Sequence, residues 1–241
     1  MNYTGTYKMN HMNEGMQEEI QKSTLKTGTS LVGIVCKDGI VIASDNRVTL
    51  GGQIIADKDF QKTYQINEYL VASISGTLSD AQLGLKTIKA QLKLKQLRDK
   101  KRPTVKEAVS LMSLMKYQDI RRPSMIPFIV GNIVGGVNDD GTVELYNVSP
   151  DGALKEINTY DASGSGMIYI WGMLEKNYKE GISTQEGVQL AMDAIQVAIE
   201  RDPASGNGID VFSVTKDGVK HISKQKGEWK YIEEQTQKAV N

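Results

Sequence analysis

Residues 25–39 read LKTGTSLVGIVCKDG. Up to Gly28 the chain is a polar leader dotted with Met1, Met9, Met12 and Met16, with no continuous apolar core of the secretory type. At Thr29 a strand-like run begins without a linker, ends on Asp38-Gly39, and is answered at once by GIVIAS. Asp-Gly tolerates the positive φ of tight hairpin turns, so the stretch reads as the first of several antiparallel hairpins.

The same punctuation recurs at Asp140-Gly141, Asp151-Gly152 and Asp217-Gly218, each between β-rich runs. Strands are expected near 30–36, 40–45, 70–75, 128–137, 143–148, 153–158, 209–215 and 219–222. Runs such as LVASIS and IVIAS are apolar on successive residues, which implies burial on both faces.

Helices come in two pairs. The first member, from Ser79, repeats apolar residues at Ala81, Leu85, Ile88 and Leu92, with Ser79 and Gln82 spaced as a capping box. The second opens with Thr104 and Glu107 and aligns Val105, Ala108, Met112 and Met115. The later pair is expected near 165–179 and 184–200; its last helix opens with Ser183 and Glu186 and aligns Val188, Ala191, Ile195 and Ala198. Strands, two helices, strands, two helices, strands: that order predicts an α+β fold, a four-layer α-β-β-α sandwich. The expected organisation is a leader over 1–28, a domain over 29–223 and a charged peripheral tail over 224–241.

Composition narrows the chemistry. Lys plus Arg and Asp plus Glu both number 29, interspersed along the chain, so a nucleic-acid partner is not expected. A single cysteine, Cys36, excludes an internal disulfide and reads as core packing in a reducing, intracellular setting. The longest apolar stretch, Ile126 to Val137, is too short to span a bilayer. Neither His11 nor His221 has partners at metal-ligand spacing, and no metal or cofactor is expected. Ser-His-Asp and Cys-His arrangements lack their base as well.

One hydrolytic mechanism needs no side-chain base. Scission of Gly28–Thr29 would give Thr29 a hydroxyl and an α-amine of pKa ~8 on one residue, and the amine can take the Oγ proton. Before scission that nitrogen is an amide, so the leader is a safety catch. Gly28, lacking Cβ, lets the chain bend for Oγ to reach its carbonyl.

The stretch TGTSLVGIVCKDGIVIASDNRVT, with SISGTLSD, SGSGM and RDPASGNGID following in order, resembles the β subunit of the archaeal-type core proteasome, an N-terminal-nucleophile threonine protease family, from about Thr27 to Ile222. The resemblance implies Thr29 as nucleophile, Asp45 and Lys62 as the carboxylate–lysine pair beside it, and Ser165, Asp202 and Ser205 as the groups that position the amine. It implies Gly76 as the oxyanion-hole donor. Val48, Ile74 and Leu78 would line an apolar specificity pocket, and Thr49 would bind the substrate backbone. Ser30, Pro203 and Ser79 depart from the family pattern, and 51–60 is about one residue longer. A cytoplasmic, autoprocessed endopeptidase follows, in heptameric β rings stacked between rings of α subunits and fed unfolded polypeptide by an unfolding ATPase. The alternatives are a non-catalytic β subunit, an amidohydrolase of the same nucleophile class acting on small amides, and a binding module on the same scaffold.

Overall fold

The computed structural model describes residues 28–50, 54–122, 128–225 and 228–232. The leader ahead of Gly28, residues 51–53 of the longer segment and the end of the expected tail lie outside the described residues.

The elements run β1 (Ser30–Cys36), β2 (Gly39–Asp45), β3 (Val48–Leu50), β4 (Ile54–Asp57), β5 (Thr63–Asn67), β6 (Leu70–Ser73), β7 (Ser75–Gly76), α1 (Leu78–Asp99) and α2 (Val105–Ile120). There follow β8 (Val130–Val137), β9 (Val143–Val148), β10 (Leu154–Glu156), β11 (Tyr160–Gly164), α3 (Met167–Asn177), α4 (Thr184–Arg201), β12 (Gly208–Thr215), β13 (Gly218–Gln225) and β14 (Glu228–Ile232). One antiparallel sheet has the order β11-β1-β2-β12-β13-β14 and the other β10-β9-β8-β6-β5, with β7 added to β8. The β3–β4 ribbon stands apart from both. Asp-Gly turns close the β1–β2, β8–β9, β9–β10 and β12–β13 hairpins.

Three apolar layers hold these elements in the α-β-β-α order. In β2, Val41 and Ala43 face α3 and α4, where Ile170, Leu174, Ala191 and Ile195 are fully buried. Ile40 and Ile42, the alternate residues, face the second sheet and meet Leu31, Val71, Ile133 and Phe212. Period-two alternation thus feeds two cores from one strand, and each such aliphatic side chain contributes roughly 1.5–3 kcal/mol on burial. The α1 and α2 stripes cover the outer face of the second sheet through Ala81, Leu85, Ile88, Leu92, Ala108 and Met112. Cys36 is buried as packing in the layer between the first sheet and α3 and α4, and burial pushes its thiol up to about 12.

Two of the three expected capping boxes form, Thr104 with Glu107 and Ser183 with Glu186. The third does not: α1 begins at Leu78 with Thr77 as N-cap and no side-chain cap bond. Its entry is fixed instead by the sheet, because Thr77 N–H donates to the Ile129 carbonyl at 3.0 Å. The chain also forms strands that the expected set lacks, namely β3, β4, β5, β11 and β14. Because β14 pairs with β13, the first sheet continues past residue 223, where the charged tail was expected to begin. Among the described residues no helix is long and apolar enough to cross a membrane.

Candidate active site

Thr29 stands at the mouth of β1, where the strand is held between β2 and β11. The β2 neighbour ends in Asp45, and β11 ends in Gly164, one residue before Ser165. Asp202 caps the C-terminus of α4, and Ser205 lies in the turn that leads to β12. Three separate chain reversals therefore deliver polar residues to one end of the sandwich, while the opposite faces of their elements remain in the apolar layers.

Asp45 is fully buried and takes four donors. Its Oδ1 accepts from Ser30 N–H and from Lys62 Nζ, both at 2.8 Å, and its Oδ2 from Gly206 N–H at 2.9 Å and Arg47 N–H at 3.1 Å. A buried carboxylate is tolerated only when paired and hydrogen-bonded in this way. Lys62, 4% exposed, also donates to the Gly28 carbonyl oxygen at 3.2 Å. Burial is the dominant influence on its ammonium and holds it below the ordinary lysine range, with Asp45 opposing.

The Gly28 carbonyl oxygen receives a second donor, Thr29 Oγ1, at 2.6 Å. On the other side of that peptide bond, Thr29 N–H donates to Ser165 Oγ at 3.1 Å. Ser165 Oγ donates in turn to Asp202 Oδ2 at 2.5 Å, which also accepts from Ser205 Oγ at 2.7 Å. Both ends of the Gly28–Thr29 link are thus held, the oxygen by a hydroxyl and an amine and the nitrogen by a serine–aspartate relay. Gly28 has no spare room: a Cβ there would lie 1.9 Å from Ala204 Cβ and 2.7 Å from the Ala204 carbonyl oxygen.

Beside Thr29 and Lys62 opens a small pocket walled by Val48, Ile74, Leu78 and Gly76. Gly76 sits at φ +111°, and a Cβ would lie 2.0 Å from the Ile129 carbonyl oxygen, so the backbone can reach the pocket only as glycine. Phe60 and Ser75 share the lining and were not anticipated. Thr49 is turned toward the leader, accepting from Gly28 N–H through Oγ1 at 3.0 Å.

Two further residues escaped the sequence reading. Ser30, noted only as a departure, places its Oγ 2.8 Å from Ser205 Oγ and joins the two halves of the network. Arg47 grips the turn that carries Ser205, donating to the Pro203 carbonyl at 2.8 Å and to Asn207 Oδ1 at 2.7 Å. Adjacency to Asp45 was the only local signal for Arg47, because its partners lie more than 150 positions away. His221 is committed elsewhere, 3.0 Å from Asp210 and stacked on Phe212.

Comparison with known proteins places the chain in a family. The family model described as Proteasome subunit matches residues 25–214. A proteasome subunit beta of Methanobrevibacter smithii is 41% identical over 199 residues, covering 83% of this chain and 93% of that protein. The proteasome subunit beta of Archaeoglobus profundus is 38% identical over 211 residues, 87% of this chain and 94% of its own length. That of Methanocaldococcus jannaschii is 36% identical over 193 residues, with 80% and 84% covered. A fold of this layering, a threonine at the head of its first strand and similarity running along most of both chains lead to one conclusion: the chain belongs to the proteasome subunit family, among its β subunits.

Proposed function

We propose that the chain is a catalytic β subunit, made as a precursor, that cuts its own Gly28–Thr29 bond and then works as a threonine endopeptidase. One observation carries the reading: the Gly28 carbonyl oxygen is approached at once by Thr29 Oγ1 at 2.6 Å and by Lys62 Nζ at 3.2 Å. In the first stage Thr29 Oγ adds to the Gly28 carbonyl carbon, and Lys62 stabilises the negative charge that grows on the oxygen. The C–N bond breaks, the nitrogen takes up the proton released by Oγ, and an ester remains. Water hydrolyses that ester, leaving the Gly28 carboxylate on the departing leader and a free amine and hydroxyl on Thr29.

In the second stage the amine, of ordinary pKa ~8, is the base for its own residue's hydroxyl. Ser165, Asp202 and Ser205 hold the amine, and the Gly76 N–H receives the oxyanion of the substrate carbonyl. Thr29 Oγ forms an acyl-enzyme, the C-terminal peptide leaves as an amine, and water activated by the same amine releases the N-terminal product. Val48, Ile74 and Leu78 favour a large apolar residue before the scissile bond, and Thr49, which holds the Gly28 N–H, offers the substrate backbone the same acceptor. Partners are α subunits and further β subunits in the heptameric rings of a four-ring barrel, with an unfolding ATPase supplying unfolded polypeptide in the cytoplasm.

The test is Thr29→Ala against Thr29→Ser in particles co-expressed with α subunits. The alanine variant is expected to keep its leader and hydrolyse no fluorogenic peptide, and the serine variant to retain measurable hydrolysis. Peptidase activity undiminished by Thr29→Ala would overturn the reading, and a wild-type chain that keeps Met1 and is inactive would make it a structural subunit.

A further inference from the structure

Asp161 lies in β11, four positions before Ser165, and is 3% exposed. Its two carboxylate oxygens serve different parts of the molecule. Oδ1 accepts from Ala162 N–H at 2.9 Å and from Trp171 Nε1–H in α3 at 3.2 Å. Oδ2 accepts from Asn147 Nδ2 in β9 at 3.0 Å and from Lys155 Nζ in β10 at 3.2 Å. One buried charge therefore joins an edge strand of the first sheet to two strands of the second and to a helix of the outer layer.

The chain between Asp161 and Trp171 is the turn that presents Ser165. The β1–β11 ladder holds the strand side of that turn up to Gly164, and Ser165 Oγ bonds to Asp202 at its tip; the helix side is held less firmly. The N-cap of α3 is Gly166, which has no side-chain cap bond, and Gly166 N–H reaches the Thr29 carbonyl only at 3.4 Å. Gly164 adopts φ +89° and a Cβ there would lie 2.1 Å from the Thr29 carbonyl oxygen, so the turn passes very close to the nucleophile, where the side chain that anchors it is that of Ser165 itself. The Asp161–Trp171 bond closes the base of the turn, and the Asn147 and Lys155 bonds tie that base to the second sheet.

We propose that Asp161, bonded to Trp171 at the base of the β11–α3 turn, is a positioning residue that holds Ser165 in reach of the Thr29 nitrogen. This rests on the proposed catalytic role of Thr29. An inter-sheet staple that served stability alone would have no need of the α3 donor, which spans only the turn.

The experiment compares Asp161→Asn, Trp171→Phe and Lys155→Met in assembled particles, measuring kcat and KM on an apolar fluorogenic peptide, the rate of leader loss by intact mass, and the thermal midpoint. Asp161→Asn is expected to lower kcat about ten-fold, as small misplacements of catalytic groups do. Trp171→Phe, which keeps the ring and removes only the donor, is expected to lower it about three- to five-fold. In both, KM stays within about two-fold and leader loss slows in parallel. Lys155→Met, which breaks the mostly exposed end of an ion pair, is expected to leave kcat within about two-fold. Should Asp161→Asn fail to assemble, Trp171→Phe decides by the same criterion. A lowered midpoint with unchanged kcat, or equal losses of kcat for Trp171→Phe and Lys155→Met, would overturn the proposal. An inactive wild-type particle would instead strike at the catalytic role itself.

Discussion

Lys62 and Lys116 are equally hidden, each 4% exposed, and chemically opposite. Lys62 has a carboxylate at 2.8 Å and points at the carbonyl beside Thr29. Lys116, on the inner face of α2, has one hydrogen bond among the described residues, to the Val148 carbonyl at 2.8 Å. Burial draws Lys116 down to about 7, with Asp151 opposing, and no reactive group stands near it in the network. A buried amine becomes part of a site when a counter-charge keeps it protonated and a reacting bond lies within reach; without them it is a cost to stability.

The largest effect is expected from Lys62→Met. It strips Asp45 of its cation and the Gly28 carbonyl of one donor, so leader removal and peptide hydrolysis should fall by about 10²–10³-fold. The uncompensated Asp45 should also cost roughly 3–5 kcal/mol, seen as a lower denaturation midpoint. If hydrolysis survives intact, the distinction between the two lysines fails. Gly28→Ala comes next: its Cβ would run into Ala204, displacing the carbonyl that Lys62 addresses. Leader loss followed by intact mass is expected to slow about 10²-fold.

Lys116→Met sharpens the contrast from the other side. The unfolded chain keeps this proton up to the ordinary value of 10.5, whereas the folded chain releases it at about 7. Between those values the unfolded state binds more protons, so wild-type stability rises with pH across that window, and below about 7 the full penalty stands. The variant is expected to be more stable at pH 6 by on the order of 1–4 kcal/mol, to lose that pH-dependent rise, and to keep its peptidase activity. Thermal midpoints at pH 6 and pH 9 check the first two, and hydrolysis of a fluorogenic peptide checks the third. The smallest effect is expected from Ser30→Ala, which removes one bond to Ser205 and should lower kcat about three- to five-fold.

The same two lysines mark how far the sequence could be read. Apolar spacing located both helix pairs, and Asp-Gly turns located the hairpins, because each is a local rule with a local signature. On α2 that spacing placed Met115 on the inner face, where it packs half-buried against the core, but it gave no sign that Lys116 is enclosed among the same apolar residues. A lysine carries no hydrophobic signal, so only tertiary packing reveals it. Strand β4 is exposed at every position and shows no alternation, and β14 is charged, so neither announced itself. Within the site, motif order pointed to Thr29, Asp45, Lys62, Ser165, Asp202 and Ser205, and the fold brings all six into one network. Arg47 and Ser30 were not legible, since the partners that define them lie far along the chain, and Asp161 was not, because its partners, though near in sequence, sit on other strands and a helix that only the fold brings to it.

The most direct test of the central claim is N-terminal sequencing of the β chain from assembled, peptidase-active particles. Thr29 as the first residue is the expected result. A chain that still begins at Met1 while turning over substrate at full rate would contradict it.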